Sequence, residues 1–276
     1  MDEYFDKIAC FLKKKSRLSF TGHKRSVLQQ RLENRRQQLG LADISCYWNA
    51  LNNSSAEEMD LYNLVTTNET SFFRNSSQFH YFKEVIIKQQ TTKRIRILSA
   101  GCSTGEEPYS IAMTIFDTLE NPQEWQIEIV AGDLSDNCLN VAREGYYDAE
   151  KLSKIPENYI DRFMTTTDDG AVVKDPLKKI IRFTRLNLND LMNAELPSWN
   201  CGIGTFDVIF CRNVMIYFAP PCQQLLVDTL HKLILPEGYL FTGDAEPLHL
   251  FRHEFKAVHQ AGCLVYQKTP EPGRYN

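Results

Sequence analysis

The chain lacks several features that would assign it to common classes of protein. No apolar run in its 276 residues approaches the roughly 20 needed to cross a bilayer. The N-terminus has acids before its short apolar segment and lysines after it, the reverse of a signal peptide. The eight cysteines are scattered singly, without a CxxC pair, which favours reduced thiols over disulfides or zinc. We therefore expect a cytoplasmic protein without a metal.

Two common nucleotide-binding signatures are missing as well. The glycines are not spaced as G-x-G-x-x-G, so a dinucleotide fingerprint is absent. There is also no P-loop lysine and no arginine cluster suited to phosphate groups. If the chain binds a nucleoside, these absences favour a nucleoside without phosphates.

Basic residues are concentrated near the N-terminus, although the net charge is −4. The segment from Lys13 to Gln38 has only one acid, Glu33, so the rest of the chain is clearly acidic. Such a local patch indicates an anionic partner, and the alternative is an ordinary solvated helix face. The basic residues of the segment are Lys13, Lys14, Lys15, Arg17, Lys24, Arg25, Arg31, Arg35 and Arg36.

The pattern of apolar residues predicts two domains. Residues 1–75 show helical periodicity and no strand pattern, whereas residues 76–276 alternate strands with helices, as in a doubly wound α/β sheet. A small antiparallel insertion is predicted at about 159–182, because Asp169-Gly170 is a hairpin turn signal. The predicted strands of the sheet are Arg94–Leu98, Gln126–Ala131, Ile180–Leu188, Phe206–Phe210 and a fifth after Leu235-Pro236.

Polar residues follow the buried strands of the predicted sheet. The small-residue loop Ala100–Gly105 follows the first strand, Asp133 the second, and Arg212-Asn213 the apolar strand Phe206–Phe210. Ligands of open α/β sheets bind beyond the carboxyl ends of such strands, and an acid after the second strand can accept the hydroxyls of a ribose. Glu107, at a helix start, can pair with a ligand ammonium or simply complement the helix dipole. Together these residues indicate a nucleoside-containing ligand.

Four segments closely resemble the CheR family of chemotaxis receptor methyltransferases, which are S-adenosylmethionine-dependent protein-glutamate O-methyltransferases. The resemblance spans nearly the whole chain and implies a Rossmann-like class I methyltransferase sheet with a small helical N-terminal domain. It also implies S-adenosylhomocysteine as the product and no metal. The four segments are Thr66–Arg74 (TTNETSFFR), Ser99–Ser110 (SAGCSTGEEPYS), Ala131–Ser135 (AGDLS) and Phe206–Phe218 (FDVIFCRNVMIYF).

The resemblance also implies roles for individual residues. Arg74 and Tyr217 would lie nearest the transferred methyl group, and the basic helix would dock the acidic cytoplasmic methylation helices of a chemoreceptor. The residues implied to bind the cofactor are Asn68, Thr70, Arg74, Ala100, Glu107, Asp133, Asn187, Leu188, Arg212 and Asn213. Those implied to dock the substrate are Arg25, Arg31, Arg35 and Arg36. We expect a monomer that neither binds nucleic acid nor inserts into a membrane, although recruitment to membrane receptor arrays would fit the family.

Two other functions compete with this interpretation. One is a signalling adaptor that binds the cofactor but has lost transfer, against which the intact Arg74 and Tyr217 argue. The other is a nucleic-acid methyltransferase that uses the basic helix for phosphates. Pro220-Pro-Cys-Gln223 is the nucleophile motif of DNA cytosine-5 methyltransferases, but here we expect it to begin a helix. The segment Gly243–Leu248 and the short rim insertion depart from the family pattern, so receptor docking without peptide capture at the rim is expected.

Overall fold

The computed structural model describes residues 2–66, 69–193, 204–260 and 262–270. Its N-terminal part consists of helices whose apolar faces pack into one core that includes Leu12, Leu32, Tyr47 and Leu61. The side chain of Asp43 accepts a hydrogen bond at the start of α3, and that of Ser54 does so at the start of α4, as N-cap residues do. The helices of this domain are α1 (Asp2–Ser16), α2 (His23–Gln38), α3 (Ile44–Asn53) and α4 (Ser55–Val65).

The remainder of the described chain is built on a seven-stranded sheet in the order β6-β2-β1-β7-β8-β10-β9. The first five strands in this order are parallel, and β10 runs antiparallel to both of its neighbours. After β6 the chain returns to the centre of the sheet, so β1 lies between β2 and β7. A crevice therefore forms beyond the carboxyl ends of these strands, where α/β folds bind ligands. The strands are β1 (Arg94–Ala100), β2 (Gln126–Asp133), β6 (Ile181–Arg185), β7 (Phe206–Cys211), β8 (Ile234–Thr242), β9 (Phe255–Gln260) and β10 (Cys263–Lys268).

Helices and a second, three-stranded sheet surround the main sheet. The small sheet is antiparallel with the order β3-β5-β4. Its first strand lies before the predicted range 159–182. This strand was not predicted, because three residues are too few to show alternation of apolar and polar side chains. Its strands are β3 (Tyr146–Asp148), β4 (Met164–Thr166) and β5 (Gly170–Val173). The helices are α5 (Ser76–Tyr81), which continues as a π-helix (Phe82–Ile87), α6 (Glu106–Thr118), α7 (Asp136–Glu144), α8 (Ala149–Leu152), α9 (Glu157–Phe163), α10 (Asp175–Lys178), α11 (Leu188–Asn193) and α12 (Pro220–Leu233).

The core of the larger domain lies on both faces of the main sheet. On one face, the rings of Phe210 and Phe241 on adjacent strands stack with centroids 4.4 Å apart, and Phe79 of α5 packs against Phe210. On the other face, Leu226 and Leu230 of α12 are completely buried. The predicted doubly wound α/β fold, with its helical domain and small antiparallel sheet, is thus confirmed. Within the described residues, no helix is both long enough and apolar enough to cross a membrane.

Candidate functional site

A cavity of about 280 Å³ lies beyond the carboxyl ends of the parallel strands, with the helical domain on its other side. The first residues after β1, β2, β6 and β7 contribute to its lining, and so do residues of α2 and of the segment that joins the domains. Its ionisable lining residues include Arg31, Glu69, Arg74, Glu107, Asp133 and Arg212. The fold therefore brings most of the predicted polar residues together at one site.

The loop after β1 is hydrogen-bonded to the end of β2, and its glycine Gly101 lines the cavity without a side chain. The amides of Gly101 and Cys102 both donate to the carbonyl of Gly132, at 2.7 and 3.0 Å. Gly101 has φ +80°, and a Cβ built on it would lie 2.4 Å from Cγ2 of Val214. Glycine is therefore required here both by conformation and by space. Predicted Ala100 is buried in β1, and the adjacent Gly101 lines the cavity instead.

Asp133, the last residue of β2, directs a buried carboxylate at this loop. Its Oδ2 accepts from the Ser103 amide at 2.8 Å, and its Oδ1 accepts from the Ser135 amide at 2.9 Å. Burial raises the pKa of this carboxyl above its ordinary value, although the backbone hydrogen bonds act in the opposite direction. A carboxylate has about four lone-pair sites, so Asp133 can accept ligand hydroxyls beside these backbone hydrogen bonds.

Glu107 and Arg212 form a buried ion pair at the opposite side of the same loop. The Glu107 Oε2 atom lies 2.8 Å from Arg212 Nε, and its Oε1 accepts from the Ser99 hydroxyl at 2.7 Å. The Nη1 of Arg212 donates to the Arg74 carbonyl at 2.7 Å and to Gln78 Oε1 at 2.9 Å. The guanidinium thus ties the first turn of α6 to the linker before α5.

Arg74 lies in a strained turn at the cavity rim. Its neighbours Phe73 and Asn75 have φ values of +52° and +61°, in the left-handed region that non-glycine residues rarely adopt. The Phe73 amide donates to the Ser110 hydroxyl at 2.9 Å, which holds the turn against α6. The Arg74 Nη1 donates to the Glu69 carbonyl at 3.0 Å, so the guanidinium remains beside the cavity. Such outliers at a cavity are typical of functional sites.

Tyr217 lies where the helical domain meets the segment after β7. The Tyr217 carbonyl accepts from the Ser19 amide at 2.9 Å, and Leu18 forms a β-bridge with Phe218. Lys24, which also lines the cavity, donates to the Ile216 carbonyl at 2.7 Å and lies 5.2 Å from the centre of the Tyr217 ring. The two domains therefore position this tyrosine jointly, an arrangement that spacing in the sequence did not indicate.

A second contact between the domains lies at Asn187. Its side-chain amide donates to the Lys15 carbonyl at 2.9 Å, and the side-chain amide of Asn189 donates to the same oxygen at 3.0 Å. The Arg17 Nε donates to Asn189 Oδ1 at 2.6 Å. Both Asn187 and the neighbouring Leu188 line the cavity. Asn187, which was predicted to bind the cofactor, therefore also contacts the helical domain over the site.

Most of the residues predicted to bind the cofactor line this cavity. Asn68 lies outside the described residues, and Ala100 is buried behind the lining. Gly101, Ser103 and Lys24 also line the cavity and were not predicted, although the small-residue loop and the basic segment contain them. The predicted residues found in the lining are Thr70, Arg74, Glu107, Asp133, Asn187, Leu188, Arg212, Asn213 and Tyr217.

The four predicted docking arginines all contact groups within the helical domain. Arg35 forms a bidentate pair with Glu57 and also contacts Asp60, and Arg36 pairs with Glu33. Arg25 pairs with Asp6 at 2.8 Å on the surface, whereas Arg31 donates to the Leu64 carbonyl at 2.8 Å and lines the cavity.

Cys222 lies in the first turn of α12, after the prolines that begin this helix. Its side chain packs against the apolar cluster on one face of the sheet and is not part of the cavity lining. The nucleophile motif in the sequence is therefore a helix start, as expected.

The donors and acceptors of the cavity suit S-adenosylmethionine. Asp133 offers buried acceptors for hydroxyl groups, and Glu107 offers a carboxylate for an ammonium. Arg212 and Arg74 add cationic groups beside them, where a ligand carboxylate would find partners. A ligand with a cationic group, hydroxyls and a carboxylate but no phosphate fits these residues, and S-adenosylmethionine has all three features.

Comparison with known proteins places the chain in a family. Two protein-family models match it: "CheR methyltransferase, all-alpha domain" over residues 3–66 and "CheR methyltransferase, SAM binding domain" over residues 68–263. It is 35% identical to chemotaxis protein methyltransferase 2 of Pseudomonas aeruginosa over 254 residues, covering 90% of this chain and 87% of that protein. It is 36% identical to the chemotaxis protein methyltransferase of Escherichia coli, covering 96% and 90%. The chain therefore belongs to the CheR methyltransferase family.

Proposed function

We propose that the protein transfers the methyl group of S-adenosylmethionine to glutamate carboxylates of chemoreceptors. The products are glutamate methyl esters and S-adenosylhomocysteine. The observation that carries this proposal is a cavity between a CheR-type helical domain and the parallel strands, which Arg74, Glu107, Asp133 and Arg212 line together. Nothing in the described residues favours the adaptor or the nucleic-acid alternative.

The cofactor is held at both of its ends by residues of this chain. Asp133 accepts the ribose hydroxyls, and Asn187 and Leu188 flank the adenine. Glu107 takes the methionine ammonium, while Arg212 and Asn213 line the methionine end. Thr70 covers the site from the linker. Support for these roles is that each described member of the set lines the cavity.

The chemistry needs little from the protein beyond alignment. When bound, S-adenosylmethionine supplies a methyl group on a positively charged sulfonium. The acceptor glutamate has an ordinary pKa of about 4.3, so it is already ionised at neutral pH and no general base is needed. A carboxylate and a sulfonium become a neutral ester and a neutral thioether, and no proton is exchanged. A site that excludes water and holds the acceptor in line therefore accelerates transfer.

Arg74 and Tyr217 orient the acceptor carboxylate at the cavity rim. Arg74 donates from Nη1 to a backbone carbonyl, so its Nε and Nη2 groups remain to hydrogen-bond the acceptor carboxylate. A tightly paired arginine would weaken the nucleophile, whereas one or two hydrogen bonds position it. The Ser19 amide bonds the Tyr217 carbonyl and Lys24 lies over the Tyr217 ring, so the helical domain helps to position this residue.

The basic face of the helical domain docks the acidic methylation helices of the receptor. Among the four arginines, Arg25 is the most available, because its pair with Asp6 is exposed and such pairs contribute about 0–1 kcal/mol. Arg31 lines the cavity, Arg35 holds α2 to α4 through Glu57, and Arg36 pairs with Glu33 within α2. The protein acts as a monomer in the cytoplasm and is recruited to receptor arrays through this surface.

The test is methyl transfer from S-adenosylmethionine to defined acceptors. Cytoplasmic receptor fragments from the same source, duplex DNA and RNA are compared at equal concentration. Label on the receptor fragment alone supports the proposal. Label on nucleic acid, or cofactor binding without transfer to any receptor fragment, contradicts it. The variant Arg74→Ala should abolish transfer, whereas Arg252→Ala, an exposed arginine outside the cavity, should leave it unchanged.

A further inference from the structure

One buried carboxylate holds both ends of the turn that joins Arg212 to Tyr217. Glu246, in the segment after β8, is 4% exposed. Its Oε2 accepts from the Asn213 amide at 2.6 Å, and its Oε1 accepts from the Ile216 amide at 3.2 Å. The sequence analysis identified this segment only as a departure from the family pattern and gave Glu246 no role.

The carboxylate accepts hydrogen bonds from the backbone N–H groups of Asn213, Ile216 and Gly243. Asn213 has φ +59°, a left-handed conformation that costs a non-glycine residue about 1–2 kcal/mol and that needs support from its surroundings. Glu246 Oε2 also accepts from the Gly243 amide at 2.8 Å. An ionised carboxylate accepts at both oxygens and donates at neither, so it can satisfy all three N–H groups together.

Gly243 provides the space that this arrangement requires. A Cβ built on Gly243 would lie 2.7 Å from Glu246 Oε2 and 2.9 Å from the Asn213 amide nitrogen. Gly243 does not have a positive φ, so its backbone conformation alone would tolerate a side chain. The absence of a side chain at position 243 thus serves the contact between Glu246 and Asn213.

We propose that Glu246 is a positioning residue for methyl transfer. Its one carboxylate fixes the backbone both beside the cofactor and beside the acceptor glutamate. Through Oε2 it places Asn213 at the methionine end of the cofactor. Through Oε1 it places Ile216 and hence Tyr217, which contacts the acceptor. This inference rests on the proposed function for the role of Tyr217, but the hold on Asn213 can be measured from cofactor binding alone.

The variant Glu246→Gln separates the two roles. Its amide oxygen can occupy the Oε2 position and keep the contacts with Asn213 and Gly243, which are the shorter ones. Its NH₂ group then faces the Ile216 amide, so two donors oppose each other and the hydrogen bond that positions Ile216 and Tyr217 is lost. We expect the Kd for S-adenosylhomocysteine to change less than about threefold, while kcat falls on the order of 10- to 100-fold, as misplacement near 1 Å does. Glu246→Ala should weaken both, and Glu254→Gln, an exposed neighbour, should change neither.

Calorimetric binding of S-adenosylhomocysteine and steady-state transfer to a receptor fragment are measured for each variant, together with the Tm. A further variant, Gly243→Ala, should have the same effects as Glu246→Ala, because both disrupt the contact between Glu246 and Asn213. The double variant should therefore be little worse than Glu246→Ala alone. The proposal is overturned if Glu246→Gln loses cofactor affinity and kcat in proportion to its Tm, or if Glu246→Ala keeps wild-type kcat. If wild-type protein binds the cofactor but methylates no receptor fragment, the proposed function fails. The effect of Glu246→Ala on the Kd still decides whether Glu246 holds Asn213.

Discussion

The ion pair between Arg212 and Glu107 makes a quantitative prediction about stability. The side chain of Arg212 is 2% exposed and that of Glu107 is 11% exposed, so solvent screens the pair little. Arg212→Met keeps an unbranched side chain in place of the aliphatic part but removes the cation and its hydrogen bonds to Glu107, to Gln78 and to the Arg74 carbonyl. Removing one partner of a buried pair costs about 3–5 kcal/mol, because the other charge is left without compensation.

The loss should appear as a lower Tm and a lower urea midpoint in far-UV circular dichroism. At about 2–4 °C per kcal/mol for a domain of this size, the Tm of Arg212→Met should fall by roughly 6–20 °C. Adding Glu107→Gln removes the uncompensated charge, so the double variant should be more stable than the sum of the single effects predicts by about 2 kcal/mol. Single effects that add within 0.5 kcal/mol, the usual limit for independent sites, would show that the two residues are not coupled and would refute the reasoning.

Three further predictions concern the rest of the site. Burial raises the pKa of Asp133, so on acidification its ionised, ligand-accepting form is lost at a pH above the ordinary aspartate value of about 3.9. The cofactor affinity of wild-type protein should therefore fall as the pH is lowered towards that value. The affinity of Asp133→Asn should be weak and independent of pH. Gly101→Ala should abolish calorimetrically detectable cofactor binding, because a Cβ there collides with Val214 on the opposite loop. Gly40 also has a positive φ, but a Cβ there meets no other atom, so Gly40→Ala should lose only about 1–2 kcal/mol of stability. Arg35→Ala should destabilise the protein by about 3 kcal/mol, whereas Arg25→Ala should leave the Tm unchanged and raise the KM for receptor.

Each of these predictions has an outcome that contradicts it. An affinity of wild-type protein that stays constant down to the ordinary aspartate range would mean that the ionised Asp133 carboxylate is not the group that accepts the ligand. Equal effects of Gly101→Ala and Gly40→Ala would show that backbone strain, not the collision, matters. An unchanged Tm for Arg35→Ala would mean that its contacts with Glu57 and Asp60 do not hold α2 in place.

The strand ends were predictable from the sequence because buried parallel strands leave a clear apolar pattern. The run Phe206–Phe210 and the polar Arg212 after it already placed that arginine at the edge of the sheet. Asp133 followed from the same rule applied to the second strand. The position of Asp133 at the cavity could therefore be predicted from the apolar pattern of the strands and from the general location of ligand sites in α/β sheets.

Partners of individual side chains could not be predicted in the same way. Arg31 and Arg35 share a helix face, but the carboxylate of Glu57 that Arg35 binds comes from another helix, 22 residues away in the chain. The three-residue strand Tyr146–Asp148 is too short to show alternation. Likewise, Glu246 meets Asn213 only because β7 and β8 are adjacent in the sheet, and that adjacency depends on the long-range order of the strands.

The measurement that tests the account most directly is the chemical lability of the transferred methyl group. Receptor fragments are labelled with methyl-labelled S-adenosylmethionine and then exposed to mild base, and volatile methanol is collected. Glutamate methyl esters predict base-labile label that is released as methanol and is absent when the acceptor glutamates are replaced by alanine. Label that survives base would indicate methylation of nitrogen or carbon and would contradict the assignment as a glutamate O-methyltransferase.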